Sequence, residues 1–222
     1  MHDGRIRWGV LSTAKIARNR LIPAIQASRN GALAAVASRE LDRARACAQE
    51  FAIPRAHGSY QELLDDPDVD AVYVPLPTSL HHEWTLRAAA AGKHVLCDKP
   101  LAADVRQAQE MVDACRRAGV QLADGFMFRH DPRHARVLEL IATGAVGELR
   151  RVRAAFAFPI VRDAANVRLA AGLDGGALGD VGCYGVSASC LYFNGLPDGV
   201  LGTLAIDREF GVDMDGSALL DF

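Results

Sequence analysis

Short apolar runs alternate with helical patterns over the first 124 residues. Each run is apolar almost throughout, as strands covered on both faces of a sheet must be. In the helical stretch 104–118, Val105, Met111 and Cys115 share one face, and Arg106 lies on the other. The pattern predicts strands at 6–11, 33–37, 71–74, 94–97 and 120–123, and helices near 15–28, 40–52, 79–91 and 104–118.

This alternation predicts an α/β Rossmann domain over residues 1–124, with a doubly wound parallel sheet and right-handed crossovers. After Asp124 the rhythm changes, and residues 125–222 predict a second, α+β lobe with an antiparallel sheet. Its predicted elements are a helix near 133–143, a strand at 148–158, a helix that begins after Gly175-Gly176, and strands at 199–207 and 216–222.

Composition narrows the class of ligand. Half of the 222 residues (50%) are hydrophobic, so the chain can bury a substantial core. The formal net charge of -2 gives no basic field of the kind that nucleic-acid binding requires, so a small molecule is the expected ligand. No apolar run is long enough to span a bilayer, and the N-terminal stretch lacks the apolar core of a signal peptide. We therefore expect a cytoplasmic protein with neither nucleic acid nor a membrane as a partner.

Cysteine and histidine spacing predicts no metal site. The five cysteines contain no C-x-x-C pair, which also argues against a disulfide framework, and reduced core thiols are expected. His81 and His82 are adjacent, and His130 and His134 are four apart, but neither pair has a Cys or carboxylate at ligand spacing. Ordinary surface or core histidines are the expected interpretation.

The first predicted strand runs into the turn GVLSTAKIA, where a dinucleotide site needs small residues so that backbone amides can approach the pyrophosphate. The G-x-G-x-x-G positions would be Ser12, Ala14 and Ala17, which are small but are not glycine. An ordinary strand-to-helix turn is the alternative. As a phosphate turn, the stretch predicts cofactor contacts from Gly9, Ser12, Thr13, Ala14, Lys15 and Ile16.

The end of the second strand bears on the choice of cofactor. An NAD site usually places a carboxylate there for the adenosine ribose, whereas this chain has Ser38 and Arg39. A hydroxyl beside a guanidinium suits a 2′-phosphate, because Arg forms charge-assisted bonds to phosphate oxygens. The pair predicts NADP, with NAD as the second choice. A solvated Arg that opens a helix is the alternative interpretation.

Lysine is rare in this chain. Three of the 25 Lys and Arg residues are lysines, and one of them, Lys99, follows the buried strand in VLCDKP. Pro100 fixes the backbone and removes an amide donor, so neither a helix nor a strand is expected to continue there. An ammonium group in that place suits chemistry at the sheet edge. The alternative is a lysine whose stem packs on the strand end while its charge reaches solvent.

Four motifs together resemble the glucose-fructose oxidoreductase / inositol dehydrogenase (Gfo/Idh/MocA) family, and within it the NADP-dependent dihydrodiol and xylose dehydrogenase branch. The resemblance covers essentially the whole chain. It implies a Rossmann domain followed by a substrate and oligomerisation domain, with a homo-oligomer formed through the second-lobe sheet. Because family members are longer, it also implies that the second domain is incomplete. The motifs are GVLSTAKIA, VYVPLPTSLHHEWTLRAAAAGKHVLCDKPLA, DGFMFRHDP and DGGALGDVGCYGV.

The resemblance implies three catalytic residues. Lys99 matches the lysine of the E-K-P signature and would stabilise the developing oxyanion at the substrate hydroxyl. Tyr184 would be the acid/base, since a tyrosine beside an ammonium can have its pKa lowered, and Asp180 would orient the substrate or the lysine. The alternative for Tyr184 is a core tyrosine with a satisfied hydroxyl.

Further contacts follow from the same motifs. Asn166 and Arg168 resemble residues that the branch turns toward cofactor or substrate, with a structural role as the alternative. The sequence departs from the pattern in its acids, because Asp98 and Asp124 stand where Glu is usual. The cofactor contacts implied by the resemblance are Pro75, Leu76, Pro77, Thr78, His81, Asp98, Lys99 and Arg129.

These residues predict an NAD(P)-dependent oxidoreductase that transfers a hydride between a nicotinamide cofactor and a hydroxyl or carbonyl group of a carbohydrate-like molecule. A sugar, a polyol or a cyclic diol is the expected substrate. The alternative from another class is a non-catalytic nucleotide-binding sensor or regulatory protein on the same fold. An aldehyde or imine reductase would share the site and differ only in substrate.

Overall fold

The computed structural model describes residues 4–222 and divides into two compact units, with the boundary between Gly125 and Phe126. The first unit alternates strands with helices, and a π-helical turn at Ala17–Leu21 leads into its first α-helix. Its elements are β1 (Ile6–Leu11), α1 (Ile22–Ala27), β2 (Gly31–Ala37), α2 (Leu41–Glu50), β3 (Arg55–His57), α3 (Tyr60–Leu64), β4 (Ala71–Val74), α4 (Thr78–Ala90), β5 (His94–Cys97), α5 (Val105–Ala118) and β6 (Leu122–Asp124).

The six strands of the first unit form one parallel sheet in the order β3-β2-β1-β4-β5-β6. This order belongs to the doubly wound Rossmann fold, and it confirms the predicted fold class. The chain leaves β1 toward β2 on one side and returns to β4 on the other side. The crevice beside the carboxyl ends of β1 and β4 is therefore the topological switch point, where ligands bind in sheets of this kind.

Neighbouring positions along the strands enter different apolar clusters. Val10 belongs to one cluster and Leu11 to the other, and Val36 is likewise separated from Ala35 and Ala37. Successive side chains of a strand point to opposite faces of the sheet, so the two clusters are its two covered faces. This double burial explains why the strands read as continuous apolar runs.

Two elements of the first unit were not predicted. The three residues of β3 include Arg55 and His57, so no apolar run marks this strand. The helix α3 has five residues, too few for a helical period, although Ser59 caps it by accepting a hydrogen bond from the Glu62 amide (3.2 Å). The placement of Val105 on the apolar face of α5 was wrong, because this first residue of the helix is 86% exposed.

The second unit has two helices, short helical turns and one hairpin. Gly175 and Gly176 precede a π-helical turn at Leu178–Gly182, which continues directly into the longer of its helices. The hairpin pairs two antiparallel strands from Gly199 opposite Asp221 to Ile206 opposite Asp213. The elements are α6 (Pro132–Ala142), α7 (Cys183–Phe193), β7 (Gly199–Ile206) and β8 (Asp213–Asp221), with 3-10 turns at Met127–His130, Val167–Leu169 and Ala171–Leu173.

The strand predicted at 148–158 was wrong, because the structure has no strand there. A strand needs a neighbour that exchanges backbone hydrogen bonds with it, and β7 and β8 pair with each other. Phe156 and Phe158 instead carry their rings on an irregular segment, with 53% and 45% of their surfaces exposed. The alternation of apolar residues at 148–158 therefore did not lead to a strand.

The five cysteines differ in burial. Cys47, Cys97 and Cys115 are buried, as expected of core thiols, whereas Cys183 and Cys190 are only half-buried. Within residues 4–222, no helix combines the length and the apolar character that crossing a bilayer requires.

Candidate cofactor and catalytic site

The strands of a parallel sheet all end at the same edge, so the residues that follow them form one surface. Four strands of the first unit, β1, β2, β4 and β5, are each followed directly by predicted site residues. The structure thus brings most of the predicted cofactor contacts and the predicted catalytic lysine to one edge of the first unit. The residues concerned are Ser12, Ser38, Arg39, Pro75, Asp98 and Lys99.

The turn after β1 adopts a backbone conformation that favours glycine, although its residue at that position is a serine. Ser12 has φ 138°, in the region that favours glycine, and its Oγ accepts a hydrogen bond from the Ala14 amide (3.0 Å). Lys15 and Ile16 are exposed, while Ala17 is buried. The turn therefore presents small residues, as a pyrophosphate site requires. Thr13, also in the turn, is half-buried.

Gly9 lies inside β1, one strand position before Val10. A Cβ on Gly9 would lie 2.6 Å from Leu63 Cδ2 and 3.1 Å from Val69 Cγ1. The glycine therefore lets the segment that carries Leu63 and Val69 approach the strand closely. Its contribution to the site is to the packing beneath the turn.

Ser38 and Arg39 differ in exposure. Ser38 is 8% exposed, and its Oγ accepts a hydrogen bond from the Glu40 amide (3.3 Å), whereas Arg39 is exposed. The carboxylate of Glu40 pairs with Arg43 (Nε–Oε2 2.9 Å). The fixed hydroxyl and the exposed guanidinium fit a phosphate, and the first carboxylate after β2 is already engaged by its own helix.

Tyr60, which was not among the predicted site residues, lies beside this part of the edge. Burial raises the pKa of its phenol, while the charge of Arg39 and a hydrogen bond with Ser12 act in the opposite direction. Its ring packs edge-on against Trp84, with 5.0 Å between centroids. Tyr60 therefore connects the turn after β1 with the residues that follow β2.

The segment after β4 is held by a buried histidine. Pro75 and Leu76 are buried, and Pro77 precedes α4, whose first residue is Thr78. His81 is 1% exposed; its Nε2 lies 2.8 Å from the Leu76 carbonyl oxygen and its Nδ1 lies 2.9 Å from the Pro100 carbonyl oxygen. The imidazole therefore bridges the segments that follow β4 and β5.

Asp98 and Lys99 follow β5 at the same edge. Asp98 Oδ1 accepts a hydrogen bond from the Lys99 amide (3.0 Å), and the hydroxyl of Tyr73, a residue of β4, also bonds to this carboxylate. Burial raises the pKa of Asp98, whereas these bonds and the positive charge of Lys99 act to lower it. The Lys99–Pro100 peptide bond is cis.

Gly125 lies so close to Asp98 that a side chain at position 125 would collide with it. A Cβ on Gly125 would lie 2.9 Å from Asp98 Oδ1 and 3.1 Å from its Cα. Asp98 is thus surrounded by protein groups, which indicates that it acts by fixing the backbone of Lys99. Tyr73 could have been found from the sequence, because it is the polar residue in the otherwise aliphatic strand AVYV.

In the second unit, two glycines place the helical segment that carries Asp180 and Tyr184. A Cβ on Gly175 would lie 2.5 Å from the Arg168 carbonyl oxygen. Gly176 has φ 123°, and a Cβ there would lie 2.1 Å from Asp213 Oδ1. The Asp213 carboxylate accepts a hydrogen bond from the Leu178 amide (2.5 Å) at the start of the π-helical turn. The Gly-Gly pair is therefore required by close backbone approach.

Asp180 is engaged by Arg168. Arg168 Nε lies 2.7 Å from Asp180 Oδ2, and the guanidinium also lies over the Phe158 ring, 5.8 Å from its centroid. The Asn166 side chain caps the 3-10 turn that carries Arg168, by accepting a hydrogen bond from the Arg168 amide (3.2 Å). Asn166 and Arg168 thus orient Asp180 within this unit.

The ring of Tyr184 is surrounded by phenylalanines that were not among the predicted site residues. Its centroid lies 5.4 Å from that of Phe126, 5.8 Å from Phe128 and 5.3 Å from Phe156. Edge-on and tilted contacts of this kind fix the orientation of a ring. Phe126 and Phe128 lie within the quoted motif DGFMFRHDP, where two phenylalanines two residues apart were a signal. Arg129, in the same stretch, is exposed.

Among residues 4–222, no group of three or more Cys, His, Asp or Glu side chains is arranged to hold a metal ion.

Comparison with known proteins gives the family. Residues 6–126 match the profile of the "Oxidoreductase family, NAD-binding Rossmann fold", and residues 134–222 match that of the "GFO/IDH/MocA C-terminal domain". The chain belongs to the Gfo/Idh/MocA family. The resemblance seen in the motifs is thereby confirmed, and the Gfo/Idh/MocA profiles cover both units.

Relatives of this Gfo/Idh/MocA protein include two dehydrogenases. D-xylose 1-dehydrogenase (NADP(+)) 2 of Haloferax volcanii is 44% identical over 215 residues, which are 97% of this chain and 65% of that protein. Trans-1,2-dihydrobenzene-1,2-diol dehydrogenase of Xenopus laevis is 35% identical over 221 residues, again 97% of this chain and 65% of that protein. This chain therefore spans 65% of the length of both dehydrogenases.

Among solved structures, a 3-ketoreductase from Actinomadura kijaniata, in complex with NADP and TDP-benzene, has the same fold. It matches with a TM-score of 0.91 and 40% identity, over 97% of this chain and 66% of that one.

Proposed function

We propose that this protein is an NADP-dependent oxidoreductase that transfers a hydride between the nicotinamide and a hydroxyl or carbonyl group of a sugar, polyol or cyclic diol. The observation that carries the proposal is the carboxyl edge of the first-unit sheet, where Ser12, Ser38, Arg39 and Lys99 follow buried strands at a topological switch point. The family membership and the names of the relatives support it.

NADP fits the residues at this edge better than NAD. The exposed Arg39 offers charge-assisted hydrogen bonds to a 2′-phosphate, with Ser38 as a neighbouring hydroxyl. A ribose hydroxyl would instead call for a free carboxylate, and Glu40 is paired with Arg43. The Haloferax relative is named for NADP(+), and the Actinomadura ketoreductase structure contains NADP.

The turn after β1 and the segment after β4 would hold the rest of the cofactor. Ser12, Thr13 and Ala14 would bring backbone amides to the pyrophosphate, because their small side chains permit close approach. Pro75, Leu76 and Pro77 would line the edge beside β4. When bound, the nicotinamide supplies the carbon that accepts or gives the hydride.

The chain's own residues would manage the proton and the charge of the substrate oxygen. Tyr184 would take the proton from a hydroxyl during oxidation and return it during reduction, with its ring fixed by Phe126, Phe128 and Phe156. Lys99, in the first unit, would stabilise negative charge that develops on a substrate oxygen. Asp180, held by Arg168, would orient the substrate.

The substrate class rests on the relatives. Their names include a xylose dehydrogenase, a dihydrodiol dehydrogenase and a dTDP-sugar 3-reductase. We extend to this protein only the shared chemistry, which is a secondary hydroxyl or a ketone on a polyhydroxylated or cyclic molecule. A homo-oligomer formed through the β7–β8 sheet and a cytoplasmic location remain predictions; the exposed apolar residues Val200, Leu201 and Leu219 of that hairpin support the first.

Turnover assays test the catalytic roles. A panel of aldoses, polyols and cyclic diols is offered with NADP, and NADPH formation is followed by absorbance. Lys99→Met and Tyr184→Phe are each expected to lower kcat/KM by about 100-fold or more, because general acid–base groups and charge stabilisation contribute at least that much, while NADPH binding persists.

Tyr192→Phe is the matched control, because Tyr192 pairs with His134 within the second unit and has no proposed role. Unchanged turnover in Lys99→Met and Tyr184→Phe would contradict the catalytic assignment. NADPH binding without turnover of any substrate would favour the sensor or regulatory interpretation.

A further inference from the structure

The π-helical turn at Leu178–Gly182 carries Asp180 and leads directly into α7, which carries Tyr184. Turns of this kind are rare, and they occur frequently at functional sites. The first amides of a helical segment have no acceptor within that segment, so other groups must supply one. Whatever binds the first amide therefore helps to fix where this segment begins.

A side chain of the hairpin supplies that acceptor. Asp213, the first residue of β8, accepts a hydrogen bond from the Leu178 amide through Oδ2 (2.5 Å). Its other oxygen, Oδ1, would lie 2.1 Å from a Cβ on Gly176, so the carboxyl group packs against a backbone that carries no side chain. Val212, directly before Asp213, is 4% exposed, so the chain enters β8 from a buried position.

A second link reaches the same turn from Arg168. Its carbonyl oxygen accepts a hydrogen bond from the Gly176 amide (2.9 Å), and its Nε lies 2.7 Å from Asp180 Oδ2. The Gly176 carbonyl oxygen in turn accepts a hydrogen bond from the Asp180 amide (3.1 Å). Arg168 thus holds the chain on both sides of the amide that Asp213 binds. Its ion pair with Asp180 has this geometry only while the turn begins at the same place.

We propose that Asp213 is a positioning residue: by accepting a hydrogen bond from the Leu178 amide, it fixes the start of the π-helical turn. It thereby sets the places of Asp180 and Tyr184. The expected effect on turnover rests on the proposed function, whereas the link itself does not. The role requires an acceptor oxygen and not a charge, because a carboxyl oxygen and a side-chain amide oxygen both accept hydrogen bonds. Asp213→Asn should therefore keep the link, and Asp213→Ala should remove it.

A second aspartate of the same strand provides a matched control. Asp215 lies two residues further along β8, and its Oδ1 accepts a hydrogen bond from the amide of Gly216, its neighbour in the strand (2.8 Å). A general effect of losing a carboxyl group from β8 would appear in Asp213→Ala and Asp215→Ala alike. An effect of the link to the turn would appear only at Asp213.

Hydrogen exchange of the Leu178 amide tests the link independently of activity. The amide should be protected in the wild type. Asp213→Ala should speed its exchange by at least about 5-fold, as the loss of a capping acceptor predicts, whereas Asp213→Asn and Asp215→Ala should not. An unprotected Leu178 amide in the wild type would overturn the proposal. An equal increase across β7 and β8 in Asp213→Ala would show a general loss of structure and would overturn it as well.

The effect on catalysis is measured next, with kcat and the NADPH Kd determined separately for the same three variants. A displacement of about 1 Å at a catalytic group can cost on the order of 100-fold in rate, so Asp213→Ala is expected to lower kcat by about 10-fold to about 100-fold. The NADPH Kd should change by less than about 3-fold, because the residues proposed to hold NADP lie in the first unit. Asp213→Asn and Asp215→Ala should keep the kcat of the wild type.

An unchanged kcat in Asp213→Ala would overturn the positioning role, and so would an Asp213→Asn variant that is as impaired as Asp213→Ala. If Asp213→Ala does not fold, the protection of Leu178 in the wild type and the kcat of Asp213→Asn decide. Failure of the proposed function would be seen separately, as absent turnover in the wild type. The exchange of Leu178 in the two Asp213 variants would then still support or overturn the link.

Discussion

The two units place their candidate functional residues by different means. In the first unit, Ser12, Arg39 and Lys99 follow strands whose side chains are buried on both faces of the sheet. In the second unit, Asp180 and Tyr184 are placed by an ion pair and by aromatic contacts on half-buried helical turns. Among the hydrophobic residues buried within residues 4–222, Leu169 and Val212 alone belong to the second unit.

This difference implies a difference in local stability. A segment with few buried apolar contacts opens at lower free energy than one with a continuous core. The first unit should therefore protect the strands β1, β4 and β5 strongly against hydrogen exchange, and the second unit should exchange faster at β7, where every residue is exposed. Both tryptophans, Trp8 and Trp84, lie in the first unit, so their fluorescence reports its unfolding alone.

The largest expected effect is on the second unit, from Gly176→Ala. The new Cβ would meet Asp213 Oδ1 at 2.1 Å, in a backbone with φ 123°. Backbone strain should cost about 1–3 kcal/mol. Displacing the Asp213 carboxylate from the Leu178 amide should cost about another 1–3 kcal/mol. Both costs should destabilise α7 and the turn that precedes it. Hydrogen exchange of residues 178–193 measures the loss.

Gly172→Ala is the control for this change, because a Cβ at Gly172 meets no atom within 4 Å. It should leave exchange unchanged. Equal exchange in the two variants would show that the Gly-Gly pair is not what places Asp180 and Tyr184.

The next effect is on the first unit, from Met111→Ala. Met111 is fully buried against the sheet, and truncating a buried methionine costs about 2–5 kcal/mol. Val105, which is 86% exposed and lies in the same unit, provides the comparison, and Val105→Ala should change the free energy of unfolding by less than about 0.5 kcal/mol. Denaturant titration followed by tryptophan fluorescence measures both. Equal effects would contradict the account of where the core lies.

The smallest expected effect is a loss of stability in acid at two ion pairs of the second unit. Hydrogen bonds from Arg133 and Arg162 lower the pKa of Asp131 and of Asp207 to about 2 in each case. Because these values lie below those of the unfolded chain, the stabilisation is present above about pH 4 and is lost as the pH falls through about 2. In the first unit, burial raises the pKa of Asp98 whereas the hydrogen bond with Arg55 lowers the pKa of Asp68, so acid acts there in both directions.

Hydrogen exchange around Asp131 and Asp207 at about pH 5 and about pH 2.5, corrected for the intrinsic rate, measures this loss. Arg162→Gln should weaken the acid dependence near Asp207. An acid dependence of the same size in the variant would show that the ion pair is not its cause.

The sequence pattern predicted the elements of the first unit better than those of the second, and the difference in burial explains why. Burial on both faces makes β1, β2, β4 and β5 continuous apolar runs, so the sheet and the residues at its edge were predictable. β3 was missed because two of its three residues, Arg55 and His57, are polar. In the second unit, Phe156 and Phe158 alternate as in a strand but lie on an irregular segment.

Contacts between residues that are far apart along the chain could not be predicted from the spacing of residue types in the sequence. The bond from Tyr73 to Asp98, the pair Arg168–Asp180 and the bridge made by His81 each join residues that no spacing connects. Tyr60 lies far along the chain from Ser12 and Arg39, and it too was found only from the coordinates.

The most direct test of the account is the preference for NADPH over NADH, measured as the two dissociation constants by cofactor fluorescence. Loss of charge-assisted bonds worth about 1.5–3 kcal/mol corresponds to at least about 10-fold in affinity. The wild type should therefore bind NADPH at least about 10-fold more tightly than NADH, Arg39→Ala should abolish that preference, and Arg43→Ala should keep it. Equal affinities in the wild type, or a preference that survives Arg39→Ala, would contradict the assignment of this sheet edge as an NADP site.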